Sequence, residues 1–538
     1  MKLSLRHTLT TATVVLVAGS QALHSCTNLL VSKGASRDGS TLITYLADSH
    51  MLYGELYFKA GGKHLPGTMR DVIDWDTGKL LGRIPEALIT YKRVGNINEH
   101  QLSIGETTFG GRGDLTKPNG IIDYGSLIYM ALERCKTARE AIQLISKLVD
   151  EYGYASTGES FSIADPNEVW IMELIGKGEG EKGAVWVAMK IPDGFISAHA
   201  NQARIRQFPL NEPQNCLYSK DVISFARAKG WFDGADRDFS FCETYAPWTP
   251  ATLRSCEARV WSIFNRAAPS LKIPVDFAMG NAKAAPMPLW VKPDQKIGVR
   301  EVMELMRDHY EGTPMDMTRD IGAGPFALPY RWRPMRFEVD GQTYIHERAI
   351  STQQTGWSMV AQMRSWIPNP IGGILWFGVD DTYSTVYVPM YCGIDEPPKA
   401  FAEGNGSMEE FTWDSAFWVF NFVTNYAYGR YSDMIQDIRK VQRELEGRFE
   451  ADQENIEKSA MNLYQQSPAS AISFLTNYSN TCSERTMTRW RKLGEHLIWK
   501  YLDGNVRDAT GKITHPSYSD DWYKKIVRDH GDTIALPR

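Results

Sequence analysis

Between Phe161 and Ala200 the chain runs through short segments rich in β-branched and aromatic residues, FSIAD, VWIMELIG, VWVAMKIP and FISAHA. This block restricts the fold more than any other stretch. Pro166-Asn167 separates the first two segments and Asp193-Gly194 the last two, residue pairs that favour tight turns. Strands joined by tight turns pair antiparallel, so the block predicts one antiparallel sheet holding all of these strands. Upstream, CTNLLVS and TLITYLA flank SRDGS, whose Asp38-Gly39 step is a hairpin signal. Between the strand blocks lies TAREAIQLISKLVDEYG. Its Ala141, Ile142, Leu144, Ile145, Leu148 and Val149 share one helical face, and Thr137 with Glu140 supplies a capping box. Helix on antiparallel sheet makes a layered α+β fold, not a parallel doubly wound one.

With 538 residues, 43% of them hydrophobic, the chain has ample material for a large core. Its formal charge of −5 comes without basic blocks, which argues against nucleic-acid binding and against an electrostatic role at a membrane surface. No stretch approaches the roughly 20 apolar residues of a membrane span. The middle, about 240–350, is rich in Pro, Gly and aromatics (PWTP, PMPLWVKP, GAGPFALPYRWRP) and reads as extended, irregular cover. Beyond about 405, MIQDIRKVQRELEGRF and RWRKLGEHLIWKYLDG read as helix. The expected organisation is a signal segment with a short propeptide at 1–25, a core with irregular insertions at 26–400, and a mainly helical part packed on it at 401–538.

Residues 1–25 place Lys2, Arg6 and His7 before the apolar LTTATVVLVAG and small residues around Ser20 and Ala22, the layout of a cleaved export signal. The expected location is therefore periplasmic or extracellular. Cys26 follows directly and opens a strand. As the first residue of a mature chain it would carry a thiol and an α-amine together, and the amine, with an ordinary pKa of about 7.7–8.0, can serve as the general base. The competing use is a lipid anchor on a peptide- or glycan-binding protein. Leu23-His24-Ser25-Cys26 loosely resembles a lipobox, although His24 fits it poorly. The other six cysteines are irregularly spaced, show no metal-ligand pattern and read as buried free thiols.

Other candidates are local. Asp48 ends the strand that should pair with that of Cys26, where it would hold an ammonium or orient the thiol; a plain strand-end turn residue is the equal alternative. Asn201 follows a strand and offers a side-chain N–H to an oxyanion, against the ordinary role of holding a turn. Arg259 in CEARVW would anchor a substrate carboxylate, against a simple surface position. HExxH, Walker, dinucleotide and GxSxG signatures are absent. GGRGD at 110–114 and Asp380-Asp381 both read as turns.

CTNLLVSKGASRDGSTLITYLADS, QLSIGETTFGGR, TAREAI, GESFSIADPNEVWIMELIGKG and IPDGFISAHANQARI, in this order, resemble the cysteine dipeptidases related to bacterial dipeptidase A. RDHYEGTPMD, STQQTGWSMVAQMRSW and GGILWFGVDD extend the resemblance over nearly the whole mature chain. Those dipeptidases belong to the N-terminal-nucleophile hydrolases, with penicillin V acylase and bile-salt hydrolase. The resemblance implies a four-layer αββα sandwich of antiparallel sheets, a dipeptide substrate, no metal or organic cofactor, and an acyl-enzyme on Cys26. It sets Asp48 beside the nucleophile, Asn201 at the oxyanion, Arg259 in the surrounding shell, and a further oxyanion contributor near Glu106 and Thr107. Many relatives carry an arginine three positions before the aspartate. Here that position is Tyr45, so another cation, Arg259 among the candidates, must take its place. An N-acyl amide hydrolase of the same fold is the alternative, and the oligomeric state, a homo-oligomer included, is left open.

Overall fold

The computed structural model describes residues 26–332 and 335–536. The expected signal segment, 1–25, lies outside the described residues. In chain order the strands that build the site are β1 (Asn28–Val31), β2 (Thr41–Asp48), β3 (Ser103–Phe109), β4 (Gly158–Ala164), β5 (Val169–Gly176), β6 (Ala184–Lys190), β7 (Ile196–His199), β8 (Thr355–Met363), β9 (Ile374–Val379) and β10 (Val388–Tyr391). Two antiparallel sheets result. The first has the order Trp290–Val291, β7, β1, β2, β8, β9, β10; the second runs from Cys216–Tyr218 through β6, β5, β4 and β3 to three short strands.

The hairpin read at Asp38-Gly39 forms, with Leu30 opposite Ile43 and Gly39 at φ 84°. The block from Phe161 to Ala200 divides, however. β4, β5 and β6 pair in sequence in the second sheet, while β7 crosses to the first and pairs with β1, Asn28 opposite His199. The cause is local. Asp193 Oδ1 accepts from the Gly34 amide at 2.6 Å, so the Asp193-Gly194 turn is tied to the first sheet and cannot fold back onto β6.

β1 and β2 are buried along their whole length, because the second sheet covers one face and helices the other. Close approach of the sheets needs Gly105: a Cβ there would stand 2.9 Å from that of Tyr45. Full burial of Leu29, Leu30, Leu42, Ile43 and Leu46 stabilises this centre by about 1.5–3 kcal/mol per side chain. On the outer face of the second sheet lie α1 (Tyr124–Arg134) and α2 (Ala138–Tyr152), sharing a core with Phe161, Ile163, Trp170 and Met172. The α2 cap differs in one bond from a capping box. Thr137 accepts from the Glu140 amide, but Glu140 returns its bond to the amide of Lys136, at 2.7 Å.

The middle segment is less irregular than its composition indicates, since it contains α3 (Ala258–Ala267) and a helical turn at Val299–Leu305, both against the first sheet. α4 (Ala416–Tyr428), α5 (Tyr431–Gln466) and α6 (Pro468–Lys500) then pack around β9 and β10. All seven cysteines are buried and unpaired. Among the described residues no helix is long and apolar enough to cross a membrane.

Candidate active site

Cys26 enters β1 beside the end of β2. The Leu46 amide donates to the Thr27 carbonyl at 3.2 Å, and the Asp48 backbone N–H faces the thiol. The Cys26 side chain is buried, and Sγ donates to Glu106 Oε1 at 3.7 Å. Burial pushes the thiol pKa well up, the charges of Glu106 and Asp48 push it further, and Arg348 opposes them. The thiol is therefore held protonated, and a nucleophilic role requires a base that removes that proton.

Asp48 is fully buried between two donors, Thr355 Oγ1 at 2.6 Å and Arg348 Nη2 at 2.7 Å. Burial lifts its carboxyl to about 6 against the pull of Arg348. The cation expected in place of a strand arginine is thus Arg348, brought from some 300 residues away. Tyr45 plays another part. Its hydroxyl donates to Glu106 Oε1, and its ring stands edge-on to Trp357 at 4.8 Å.

Arg259 is buried on α3, just after the π-turn Leu253–Glu257, and spends all of its N–H donors inside the protein. Nη1 reaches the Cys26 carbonyl at 2.6 Å and Thr27 Oγ1 at 2.8 Å. Nη2 reaches Asn201 Oδ1 at 3.0 Å and the Ala200 carbonyl at 3.3 Å, and Nε the Ser255 carbonyl at 3.0 Å. A guanidinium has five such donors, so this one has none left for a substrate carboxylate. It is instead a clamp joining the nucleophile's backbone to Asn201. Asn201 itself has φ 58°, and its Nδ2 donates to the Thr108 carbonyl at 2.7 Å. The sequence-predicted residues Cys26, Asp48, Asn201 and Arg259 therefore converge.

The pair proposed as an oxyanion contributor is arranged otherwise. Glu106 faces the thiol as an acceptor, and Thr107 Oγ1 is hydrogen-bonded to His199 Nδ1 at 2.7 Å. His199 Nε2 is bonded to Ser162 Oγ at 2.8 Å, and Asn28 Nδ2 donates to the same oxygen. This network spans the two sheets directly behind the nucleophile. Burial drives the His199 pKa down to about 3, so the imidazole is neutral. Asp380-Asp381 is confirmed as a turn, with Asp380 at φ 68° and Asp381 accepting from Ser351 and Tyr428.

Cys26, Tyr45, Asp48, Asp76, Glu106 and Tyr124 line a closed cavity of about 30 Å³, roofed by Trp75 and Trp357. A larger groove of about 860 Å³ between Arg266, Asp294, Arg300 and Tyr383 shares no lining residue with it and offers no thiol. Among the described residues no group of three or more His, Cys, Asp or Glu side chains is placed to hold a metal ion. Arg348, Asp76 and Tyr124 had no signal in the sequence, apart from the turn character of Asp74-Trp75-Asp76-Thr77-Gly78.

Antiparallel sheets closing on a buried thiol ringed by carboxyl groups define a peptide hydrolase in this chain: residues 64–444 match Peptidase family C69, and the chain belongs to that family. It is similar to a protein named "Probable dipeptidase" from Latilactobacillus sakei, 24% identical over 440 residues that cover 78% of this chain and 85% of the relative. A protein of the same name from Salmonella dublin is 24% identical over 409 residues, covering 71% and 84%. "Probable dipeptidase B" from Streptococcus pyogenes serotype M1 is 22% identical over 499 residues, covering 88% and 93%.

Proposed function

We propose that this chain is an exported dipeptidase of the N-terminal-nucleophile type, active once the Ser25–Cys26 bond has been cut. The observation that carries the reading is the setting of Cys26: a buried thiol at the start of a central strand, its carbonyl clamped by Arg259 and its Sγ beside Asp48 and Glu106. The names of the family's relatives support the substrate class.

In this mechanism the Cys26 α-amine takes the thiol proton, and Sγ attacks the peptide carbonyl. The amine then returns the proton to the leaving nitrogen as the C–N bond breaks, leaving a thioester that water hydrolyses. Base and nucleophile on one residue need little ordering. Asp48, kept charged by Arg348, holds the resulting ammonium, and the Asn201 amide, oriented by Arg259, stabilises the oxyanion. Burial of the thiol speaks against a lipid on the same sulfur, for which the closed cavity has no room.

Two measurements test the proposal together. The mature protein should begin at Cys26 by amino-terminal sequencing, and Cys26→Ala should abolish dipeptide hydrolysis. Full activity in Cys26→Ala, or in a chain beginning at Gln21 or Leu23, would refute it.

A further inference from the structure

We propose that Asp76, carried over the thiol by the 69–85 hairpin, forms with Glu106 the subsite for the substrate's α-ammonium group, so that a free amino terminus is required for cleavage. The inference rests on the dipeptidase reading and adds what that reading leaves open, which end of the substrate is recognised and by what.

The first ground is rigidity. The hairpin pairs Met69–Ile73 with Leu80–Pro85, and its turn is anchored to α1. The Trp75 amide donates to Asp123 Oδ2 at 3.0 Å, and Tyr124 Oη donates to Asp76 Oδ1 at 2.8 Å. Trp75 packs against Tyr57 and Tyr129, and only a glycine at 125 admits it, since a Cβ there would lie 2.7 Å from that of Trp75. Asp76 is thus fixed in the wall of the cavity.

The second ground is reach. In a dipeptide the α-nitrogen lies about 2.5 Å from the carbonyl carbon that is attacked. With Sγ about 3–3.5 Å from that carbon, the ammonium must fall within about 6 Å of the sulfur. Glu106 Oε1 is 3.7 Å from Sγ, inside that shell, and Asp76 lines the same cavity.

The third ground is charge. The described lining contains carboxyl groups and aromatic rings but no Lys, Arg or His. Diagonally across the β3–β4 pair stands Glu159, fully buried, with no donor to either carboxyl oxygen. Buried acids in this number call for a cation, and aromatic faces suit an ammonium. An acyl group without nitrogen would leave that demand unmet, which separates a dipeptide from an N-acyl amide substrate.

The test compares L-alanyl-L-alanine with propionyl-L-alanine, which lacks only the ammonium. Wild type should cleave the dipeptide with a kcat/KM at least about 100-fold higher. Asp76→Asn should raise KM for the dipeptide about 10- to 100-fold and narrow the ratio, while Asp76→Glu, which keeps the charge, preserves it. Iodoacetamide labelling of Cys26 and the melting temperature establish that each variant is folded. Equal cleavage of both compounds by wild type, or an unchanged KM in folded Asp76→Asn, overturns the subsite and leaves the dipeptidase reading standing. A wild type inert towards both falls on the dipeptidase reading itself and takes the subsite with it.

Discussion

Arg348 gives Asp48 one guanidinium nitrogen, and that contact decides whether the carboxyl beside the thiol is charged. Burial raises Asp48 to about 6, and Arg348 is the foremost influence holding it down. In Arg348→Met the carboxyl should stay protonated to higher pH, and the acid limb of kcat/KM should move up by about one pH unit or more. Arg348→Lys should restore most of the lost ground. A pH–rate profile reads both, and an unmoved limb would show that Asp48 does not work as a carboxylate. Cys26, Asp48, Asn201 and Arg259 were legible because each sits in a short block whose order along the chain is informative. Their chemistry was less so: Arg259 in the sequence is a free cation, whereas in the fold every one of its donors is committed to backbone or to Thr27 and Asn201. Arg348 was not legible at all, because a contact between positions 48 and 348 leaves no trace in local pattern.

β7 shows the same limit for an element. Its residues read correctly as a strand, but alternation and turn residues do not say which of two sheets a strand joins. The tie from Gly34 to Asp193 decides that, and it places His199 between the sheets. With its folded pKa lowered to about 3, His199 does not take up the proton that the unfolded chain accepts below about 6.5. Its contribution to stability is therefore complete above about pH 6.5 and is lost as pH falls, at about 1.4 kcal/mol per unit. Urea unfolding at pH 7.5 and pH 5 should show wild type losing about 2 kcal/mol more than His199→Gln, which cannot titrate. Equal losses would mean that the ring is charged in the native protein. The helix α3 was hidden for another reason, the prolines and aromatics on both sides of it, although it carries the clamp.

For the whole molecule, the join between the helical C-terminal elements and the sheets rests on a buried charge. Arg307, almost wholly buried, meets Glu446 of α5, and Glu446 Oε1 also accepts from the Tyr387 amide at 3.0 Å. Glu304 offers Arg307 a second contact at 2.9 Å. Glu446→Ala should leave a buried guanidinium undercompensated and cost roughly 3 kcal/mol, read as a lower melting temperature. Activity per titrated Cys26 thiol should be unchanged, since Glu446 lies outside the cavity. Helix here was plain from its periodicity, while the partner of each helix was not. One consequence follows from the order of strands in the first sheet. The strand that ends in Asp48 is enclosed only when β8, made some 300 residues later, pairs along it, and Arg348 arrives just before β8. A ribosome has therefore passed well beyond the middle of the message before a cutting site exists, and a chain released early is harmless to the peptides around it.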